Sequence, residues 1–399
     1  MREYLDPAAP QTPPAALYLH VPFCFHKCHY CDFYSIVDKR DRQHAFTERL
    51  LLELAALGPL TSSPLTSIFV GGGTPTLLAP EHWERLLKGL ADHFDMSAIK
   101  AGPGEFSVEC NPETATAELM GVLHAGGVNR VSMGAQSFNP VHLKTLERWH
   151  DPDNVEKAIS LAADAGIARR SIDLIFAIPG QSLADWDADL TRALALPIDH
   201  LSCYALTYEP NTAMTARMRK GEFTPAGDDI EAEMYEHTVA TLGAHGLHRY
   251  EVSNFARPDA ECRHNLAYWR QDSWLAAGPS ASGHLHGHRW KNIPRLDDYL
   301  NFSDDGFAPV MDHEPPEPSR NLVERIMTGI RLTEGLDADA ITRAAQALDA
   351  TAPARLEAEL RSHRQAGWLN DDAERWVLTD SGFLFADRVA ADLMGAVVG

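Results

Sequence analysis

Short apolar segments alternate with longer amphipathic segments over the first two thirds of the chain. The short segments have the length of buried β-strands, and the pattern predicts strands at 17–21, 67–70, 106–109, 130–133, 171–176 and 201–206. In the longer segments apolar residues recur every three or four positions, as on an amphipathic helix. This second pattern predicts helices at 41–57, 81–94, 115–125, 154–165, 182–195 and 228–245.

Six consecutive strand–helix units predict an α/β fold with a parallel sheet, because parallel strands are joined by right-handed crossover connections. Eight such units close a complete barrel. Six units therefore predict an open, partial TIM-type barrel. In this fold, ligands are expected at the carboxyl ends of the strands.

The pattern changes beyond about residue 290. A Pro- and acid-rich linker is predicted at 311–320, and helices follow it, one through Ile326 and Ile330 and one at 353–366. Residues 367–389 then predict a pair of strands and a last helix. The C-terminal region is therefore predicted to be small, mainly helical and winged-helix-like.

These patterns divide the chain into three parts. We predict a disordered tail at 1–14, a barrel with its extension at 15–290, and the C-terminal domain at 291–399.

Composition and charge exclude several classes of function. The 399 residues are 45% hydrophobic and 23% charged, as in globular proteins. The chain has 35 Lys and Arg against 56 Asp and Glu, a net charge of −21, which argues against general nucleic-acid binding. The sequence has no apolar run of 18 residues, so no transmembrane segment is predicted, and the N-terminus lacks the apolar region of a signal peptide. Three of the six cysteines are scattered singly, which predicts a reducing, cytoplasmic location.

The other three cysteines lie together in the stretch LHVPFCFHKCHYCDF, directly after the first predicted strand. Three thiolates can hold three irons of a 4Fe–4S cluster and leave the fourth iron open to an outside ligand. Zinc is the alternative, completed by one of the nearby histidines His20, His26 or His29. The spacing by itself leaves both readings open.

The motifs taken together resemble the radical SAM family, and within it the oxygen-independent coproporphyrinogen III oxidase-like group. The resemblance covers roughly residues 17–385, with motifs in the family's order: YLHVPFCFHKCHYCDF, GGGTPT, VECNPET, RVSMGAQSF, SIDLIFAIPGQ, YEVSNFA and CRHNLAYW. It implies that Cys24, Cys28 and Cys31 hold a 4Fe–4S cluster. It also implies that S-adenosylmethionine (SAM) binds the open iron.

Polar residues on or just after the predicted strands are candidates for the SAM site. Glycines let a backbone approach a ligand and leave N–H groups free, a carboxylate suits ribose hydroxyls, and a guanidinium suits the SAM carboxylate. The residues that the resemblance implies are Tyr18, Gly72, Gly73, Thr74, Glu109, Gln136, Arg148 and Asp173. The alternatives are a core aromatic at Tyr18 and a mere turn at the glycines. Asp173 lies inside the apolar run SIDLIF, where a carboxylate is costly unless it is paired or binds a ligand.

Two features distinguish the branches of the family. The oxidase enzymes carry Gly-Cys after the third cysteine, whereas Asp32-Phe33 follows here, as in the heme-chaperone branch. Residues 264–269 match HNxxYW, a motif that family members use for heme. His264 is therefore predicted to bind heme iron, with Tyr268 and Trp269 stacking on the porphyrin. The alternative is a buried histidine hydrogen-bonded beneath an aromatic cluster.

Other cysteines and histidines receive structural interpretations. Cys262 could serve as an auxiliary thiolate ligand, but a small buried core residue is favoured, as it is for Cys110 and Cys203. The alternating histidines of GHLHGHRW (283–290) are interpreted as an exposed hairpin rather than as a metal site.

The resemblance implies a heme chaperone that carries heme as cargo and delivers it to heme-dependent proteins such as respiratory enzymes. The alternative is an oxygen-independent coproporphyrinogen III oxidase, a dehydrogenase that performs radical oxidative decarboxylation, so whether the chain is an enzyme stays open. Radical SAM modification of RNA is disfavoured by the acidic balance of the chain. A transient association with a membrane is compatible with these expectations.

Overall fold

Twelve strands form one sheet whose two edges do not meet, in the order β12-β11-β10-β9-β1-β2-β3-β4-β5-β6-β8-β7. The strands are β1 (Ala16–Val21), β2 (Ser67–Gly72), β3 (Glu105–Cys110), β4 (Arg130–Gln136), β5 (Arg169–Phe176), β6 (His200–Ala205), β7 (His248–Glu251), β8 (Asn254–Ala256), β9 (Trp274–Ala277), β10 (Ser282–Leu285), β11 (His288–Asn292) and β12 (Val310–Glu314). The structure is a computed structural model that describes residues 13–301 and 305–399. The first twelve residues of the predicted tail (1–14) therefore lie outside the described residues.

Sixteen helices occur in the described part of the chain, most of them on the connections between strands. They are α1 (Gln43–Leu57), α2 (Pro80–His93), α3 (Ser97–Ala101), α4 (Ala117–Ala125), α5 (Pro140–Thr145), α6 (Asp153–Asp164), α7 (Leu183–Leu194), α8 (Ala213–Arg219), α9 (Asp228–Ala244), α10 (Arg263–Trp269), α11 (Leu296–Leu300), α12 (Pro318–Gly329), α13 (Ala338–Leu348), α14 (Ala352–Gln365), α15 (Asp380–Phe383) and α16 (Ala386–Val398). None of the helices in the described ranges has both the length and the apolar character needed to cross a bilayer.

The six predicted strands correspond to β1–β6, and the six predicted helices to α1, α2, α4, α6, α7 and α9. Strands β1–β6 are parallel neighbours, so the prediction of an open, partial α/β barrel is confirmed. A seventh parallel strand, β9, pairs with β1 and was not predicted. It has only four residues and reaches its partner from more than 250 positions away, which local periodicity does not encode.

Alternate residues of the parallel strands divide into an apolar face and a polar face. The apolar face, for example Leu17, Leu19 and Val21 of β1, is buried in the main core with the surrounding helices. The other face, which we call the polar face, carries one phenylalanine, Phe69, and otherwise the polar residues Tyr18, His20, Ser67, Glu105, Ser107, Glu109, Arg130, Ser132, Ser171, Asp173, His200 and Ser202. Polar groups enclosed by a barrel must bond to one another or to a ligand, so this face is where a site is expected.

The C-terminal part is mainly helical, as predicted, and shares its apolar core with the barrel. The predicted linker at 311–320 is wrong in its first half, because β12 (Val310–Glu314) pairs with β11 at the edge of the sheet. This half-exposed edge strand lacks the apolar alternation of a core strand. The division at residue 290 stays a prediction, although β12 follows it and still belongs to the sheet.

Within 367–389 the predicted pair of strands is reduced to β14 (Arg375–Trp376) and a single bridge between Leu369 and Leu378. The partner of β14 is β13 (Leu336–Asp337), which lies before α13.

Candidate functional site

The three clustered cysteines lie on the loop that follows β1. Backbone hydrogen bonds close this loop: Cys24 N–H donates to Ile36 O at 2.9 Å, and Ile36 N–H donates to Pro22 O at 2.8 Å. Cys31 N–H donates to Cys28 O at 3.3 Å, which places these two residues in one turn. All three thiols are free, and the loop presents them at the carboxyl end of β1, where the site was predicted.

The spacing of the ligand atoms distinguishes a cluster from a single metal ion. Sulfur atoms around one tetrahedral zinc lie about 3.8 Å apart, because each Zn–S bond is about 2.3 Å. Among the described residues, the three cysteines and their neighbouring histidines contribute no set of three ligand atoms within 4.8 Å of one another. In a 4Fe–4S cluster each thiolate binds a different iron, so the sulfur atoms stand further apart. The described residues of this loop therefore contain no compact set of three ligands for a single zinc ion.

Histidine His20, a candidate fourth ligand of such a zinc, is already engaged in the structure. Its Nε2 lies 2.8 Å from the Tyr34 carbonyl, and its Nδ1 lies 3.1 Å from the Tyr18 hydroxyl. Burial lowers the pKa of His20 to about 4, so the ring is neutral at physiological pH.

Burial favours the protonated form of two of the three thiols on this loop. Burial raises the pKa of Cys31 to about 11. Burial also raises the pKa of Cys24, although Thr74 Oγ1 donates a 3.6 Å hydrogen bond to its sulfur. Iron would supply the positive charge that stabilises the thiolates, so these thiols would lose their protons when a cluster binds.

The glycine loop after β2 has its N–H groups occupied, contrary to expectation. Gly72 N–H donates to Glu109 Oε2 at 3.0 Å, Gly73 N–H to Val21 O at 2.8 Å, and Thr74 N–H to Phe23 O at 2.7 Å. The loop is thus fixed against the start of the cysteine loop. The ammonium of SAM donates hydrogen bonds, so it would bind carbonyl oxygens here rather than N–H groups.

Two carboxyl groups, Glu109 and Asp173, approach each other on the polar face. Burial raises the pKa of Glu109 to about 7, and the charge of Asp173 adds to the shift. Burial also raises the pKa of Asp173, whose oxygens accept hydrogen bonds from Ser132 Oγ at 3.1 and 3.3 Å. Tyr18 lies close by, since Glu109 contributes to the rise in its pKa after burial. A positively charged ligand would stabilise the ionised form of two buried carboxyl groups that repel each other. SAM is such a ligand, because it carries a sulfonium and an ammonium group.

Gln136 and Arg148 lie together over Gly134. A Cβ added at Gly134 would lie 2.9 Å from Gln136 Nε2 and 3.0 Å from Arg148 Nη2. Arg148 donates from Nη2 to Gly134 O at 2.8 Å, and its Nη1 lies 3.8 Å from Cys28 Sγ. A cation at this distance stabilises thiolate charge. Arg148 thus contacts Cys28 itself. Its Nε is buried without a hydrogen-bond partner and is the nitrogen left to donate to a SAM carboxylate.

Helix α10 covers the polar face at the amino-terminal end of the strands. His264 is 1% exposed, and its Nδ1 lies 3.0 Å from Ser67 Oγ. Its ring meets Tyr268 edge to face at 4.7 Å and stacks on Phe69 at 5.4 Å. This is the predicted alternative, a buried histidine beneath an aromatic cluster. Its Nε2 is nevertheless buried without a partner, as is Nε1 of Trp269.

The structural interpretation of the remaining cysteines is confirmed, whereas the histidine hairpin is present but its histidines are half-buried rather than exposed. Cys262 is 4% exposed and donates to Glu105 Oε1 at 3.3 Å, and Cys110 and Cys203 are also buried. The histidine stretch forms the hairpin β10–β11, in which His284 Nδ1 contacts Asp272 O at 3.0 Å.

Two residues of the polar face were missed from the sequence. Glu105 accepts hydrogen bonds from Cys262 and from Arg263 N–H at 3.1 Å, and so anchors the start of α10. Arg130 is buried beside it and donates to Ser107 Oγ at 3.3 Å. The signal was available, because each charged residue starts a strand in which every second residue is a buried apolar one, Phe106 and Val108 in β3 and Val131 and Met133 in β4.

Comparison with family models supports both halves of the architecture. The radical SAM superfamily matches residues 18–193, and the HemN C-terminal domain matches residues 319–385. A solved structure, that of coproporphyrinogen III oxidase (HemN) from Escherichia coli, described as a radical SAM enzyme, superposes with a TM-score of 0.82. It covers 96% of this chain and 91% of its own at 23% identity, which shows that the two share a fold.

Relatives that match two thirds or more of the chain are closer to it in sequence than the HemN structure is. The heme chaperone HemW of Mycobacterium tuberculosis is 37% identical over 388 residues, 96% of this chain and 95% of the relative. The heme chaperone HemW of Bacillus subtilis is 32% identical over 384 residues, 95% and 98% of the two chains. The heme chaperone HemW of Escherichia coli is 36% identical over 275 residues, 68% and 71% of the two chains.

Proposed function

The chain belongs to the heme chaperone HemW family of radical SAM proteins, and from this premise we propose that it binds heme and delivers it to heme-dependent proteins. The single observation that carries the proposal is the 37% identity to a heme chaperone over 96% of the chain. Asp32-Phe33 after the third cysteine supports it, because the oxidase enzymes carry Gly-Cys there. Respiratory enzymes are the class of recipient that we propose.

The resident cofactors are a 4Fe–4S cluster and SAM. Cys24, Cys28 and Cys31 would hold the cluster, which supplies an open iron for SAM. The residues that would hold SAM are Tyr18, Gly72, Gly73, Thr74, Glu109, Gln136, Arg148 and Asp173. The enclosed acid pair and the contact of Arg148 with Cys28 support this assignment, since they join the cysteine loop to the polar face.

The heme site is proposed at HNxxYW, with His264 as ligand and with Tyr268 and Trp269 against the ring. Burial lowers the pKa of His264 to about 3, so the imidazole is neutral and able to bind iron. The ring is enclosed, however, and a porphyrin is much larger than the space around it. Heme binding at His264 therefore requires α10 to move away from β2. Helix α10 has only seven residues, which makes such a displacement local.

The test reconstitutes the cluster anaerobically and measures heme binding and coproporphyrinogen III turnover on the same preparation. We expect a Soret band that saturates with heme, and no protoporphyrinogen IX in the presence of SAM and reductant. Turnover at the rate of an authentic oxidase under the same conditions would establish the enzyme alternative instead.

A pair of variants examines the ligand. His264→Ala is expected to shift the Soret band or weaken heme binding, whereas Ser67→Ala removes the Nδ1 partner but keeps the imidazole. Hydrogen exchange in α10 is expected to rise when heme is added to the wild type. If the heme spectrum is unchanged in His264→Ala, and hydrogen exchange in α10 is unchanged when heme is added to the wild type, heme binds elsewhere on the protein.

A further inference from the structure

Three side chains of types that can bind metal ions converge between two helices of the C-terminal part, far along the chain from the cysteine loop. Glu359 and His363 are one turn apart on α14 and so lie on the same side of that helix. Asp392 lies on α16, which packs against α14. One carboxylate oxygen of each acid and a ring nitrogen of His363 all lie within 4.8 Å of one another.

The histidine of this set is buried with its Nε2 unpartnered. His363 is 3% exposed, and Nε2 makes no hydrogen bond. The nearest acidic oxygen, Asp392 Oδ2, lies 3.6 Å away, too far for a hydrogen bond of ordinary length. The ring is held in place by stacking on Trp368 at a centroid distance of 5.6 Å. A buried nitrogen without a hydrogen-bond partner, on a ring that lies beside two carboxylates, indicates that a further group belongs between them.

We propose that Glu359, His363 and Asp392 form a binding site for a divalent transition-metal ion such as Zn²⁺. Zinc binds histidine nitrogen and carboxylate oxygen at about 2.0–2.2 Å, so two such ligand atoms of a tetrahedral site lie about 3.4 Å apart. The 3.6 Å between His363 Nε2 and Asp392 Oδ2 already matches this distance. Three protein ligands leave one coordination position for water.

The guanidinium of Arg388 balances the negative charge of Asp392 in the absence of a metal ion and would compete with the metal for this carboxylate. Arg388 Nε donates to Asp392 Oδ2 at 2.6 Å, and the arginine is mostly exposed. A metal ion would take over this oxygen or its neighbour and release the guanidinium to solvent. Bound metal would then join α14 to α16 and stabilise the C-terminal part, independently of heme or SAM.

The experiment counts zinc on the full-length, cluster-reconstituted protein. Iron is measured in the same samples, which verifies that the cluster cysteines are occupied and unable to hold zinc. We expect one zinc per chain after equilibration with a buffered zinc solution, and at least a tenfold loss of affinity in His363→Gln and in Asp392→Asn. Zinc should raise the Tm of the wild type and have a smaller effect on the Tm of these variants.

Two further variants make the result specific. Arg388→Ala removes the competing cation and should tighten zinc binding, a change opposite in sign to that of the ligand variants. His288→Gln alters another histidine, one whose Nδ1 lies 3.0 Å from His313 Nε2, and should leave the zinc count unchanged. Zinc that stays bound in His363→Gln, or no zinc at all in the wild type and in Arg388→Ala, would overturn the proposal.

Discussion

The main-chain N–H of Gly72 donates a hydrogen bond of 3.0 Å to Oε2 of Glu109, which joins the end of β2 to the end of β3. The bond fixes the glycine loop on one side and a carboxyl group of the polar face on the other. Because Asp173 faces the same carboxyl group, the glycine loop, the acid pair and the cysteine loop behave as one unit.

Loss of any one of the three clustered cysteines should remove the cluster. Cys24→Ala, Cys28→Ala and Cys31→Ala each leave an iron without its thiolate, so the broad 4Fe–4S absorption and most bound iron should disappear. Cys203→Ala, in a buried core position of β6, is the matched control and should keep both. Full iron content in any of the three variants would remove that residue from the set of ligands.

Gly72→Ala should disrupt the site by strain. Gly72 has φ of +104°, and an added Cβ would lie 2.4 Å from the His20 ring. We expect a loss of stability of about 1–3 kcal/mol and weaker SAM binding, measured by denaturant unfolding and by calorimetry. Gly121→Ala is the control, since that glycine lies in α4 with no atom within 4 Å of an added Cβ. The control should be neutral or slightly stabilising.

Glu109→Gln should make stability less dependent on pH. The pKa of Glu109 is raised from 4.5 to about 7 in the folded chain, so the folded state binds more protons than the unfolded state between these values. The contribution of this group to stability is therefore lost as pH rises from 4.5 through 7. The glutamine of the variant cannot ionise. Between pH 5 and 8 the free energy of unfolding of the variant should therefore rise relative to that of the cofactor-free wild type, by on the order of 1–3 kcal/mol. Parallel Tm curves over this range would contradict the prediction.

The same substitution should weaken SAM binding. The neutral amide can still accept the Gly72 N–H bond but no longer attracts the positive charges of SAM. We expect the dissociation constant to rise about tenfold in the cluster-loaded protein, the scale of a lost charged hydrogen bond. Iron content serves as the control and should not change. If the SAM dissociation constant is also unchanged, Glu109 does not belong to the SAM site.

His264→Gln should reduce the sensitivity of the protein to acid. The pKa of His264 is lowered from 6.5 to about 3 by burial, so between these values the unfolded state binds the additional proton. Stability from this group is present above pH 6.5 and is lost as pH falls toward 3. The Tm of the variant should fall less than that of the wild type when the pH is lowered from 7 to 5. The exposed His248, changed to Gln, is the control and should follow the wild type.

Local periodicity was sufficient for β1–β6, for the main helices that follow them and for the open barrel. Burial on one face imposes a repeat of two residues in a strand and of three to four in a helix, which any short window contains. The position of the cysteines after β1 followed from the same pattern. The pairing of β9 with β1 and the edge position of β12 did not, since both depend on partners distant in sequence. The sequence singled out Glu109, Asp173, Arg148 and His264 one by one.

Only the tertiary structure brought these residues together. The pairing of β2 with β3 brought Glu109 within hydrogen-bond distance of Gly72 N–H, and Asp173 lies close to the same carboxyl group. The backbone hydrogen bond from His29 N–H to Leu146 O joins the cysteine loop to the segment after α5, where Arg148 lies beside Cys28. The tertiary structure also enclosed His264 against Ser67, and it brought Asp392 to the helix turn that carries Glu359 and His363. Such contacts join segments tens to hundreds of residues apart, and their distances are set by how whole strands and helices pack. A one-dimensional pattern therefore identifies the side chains but not their neighbours.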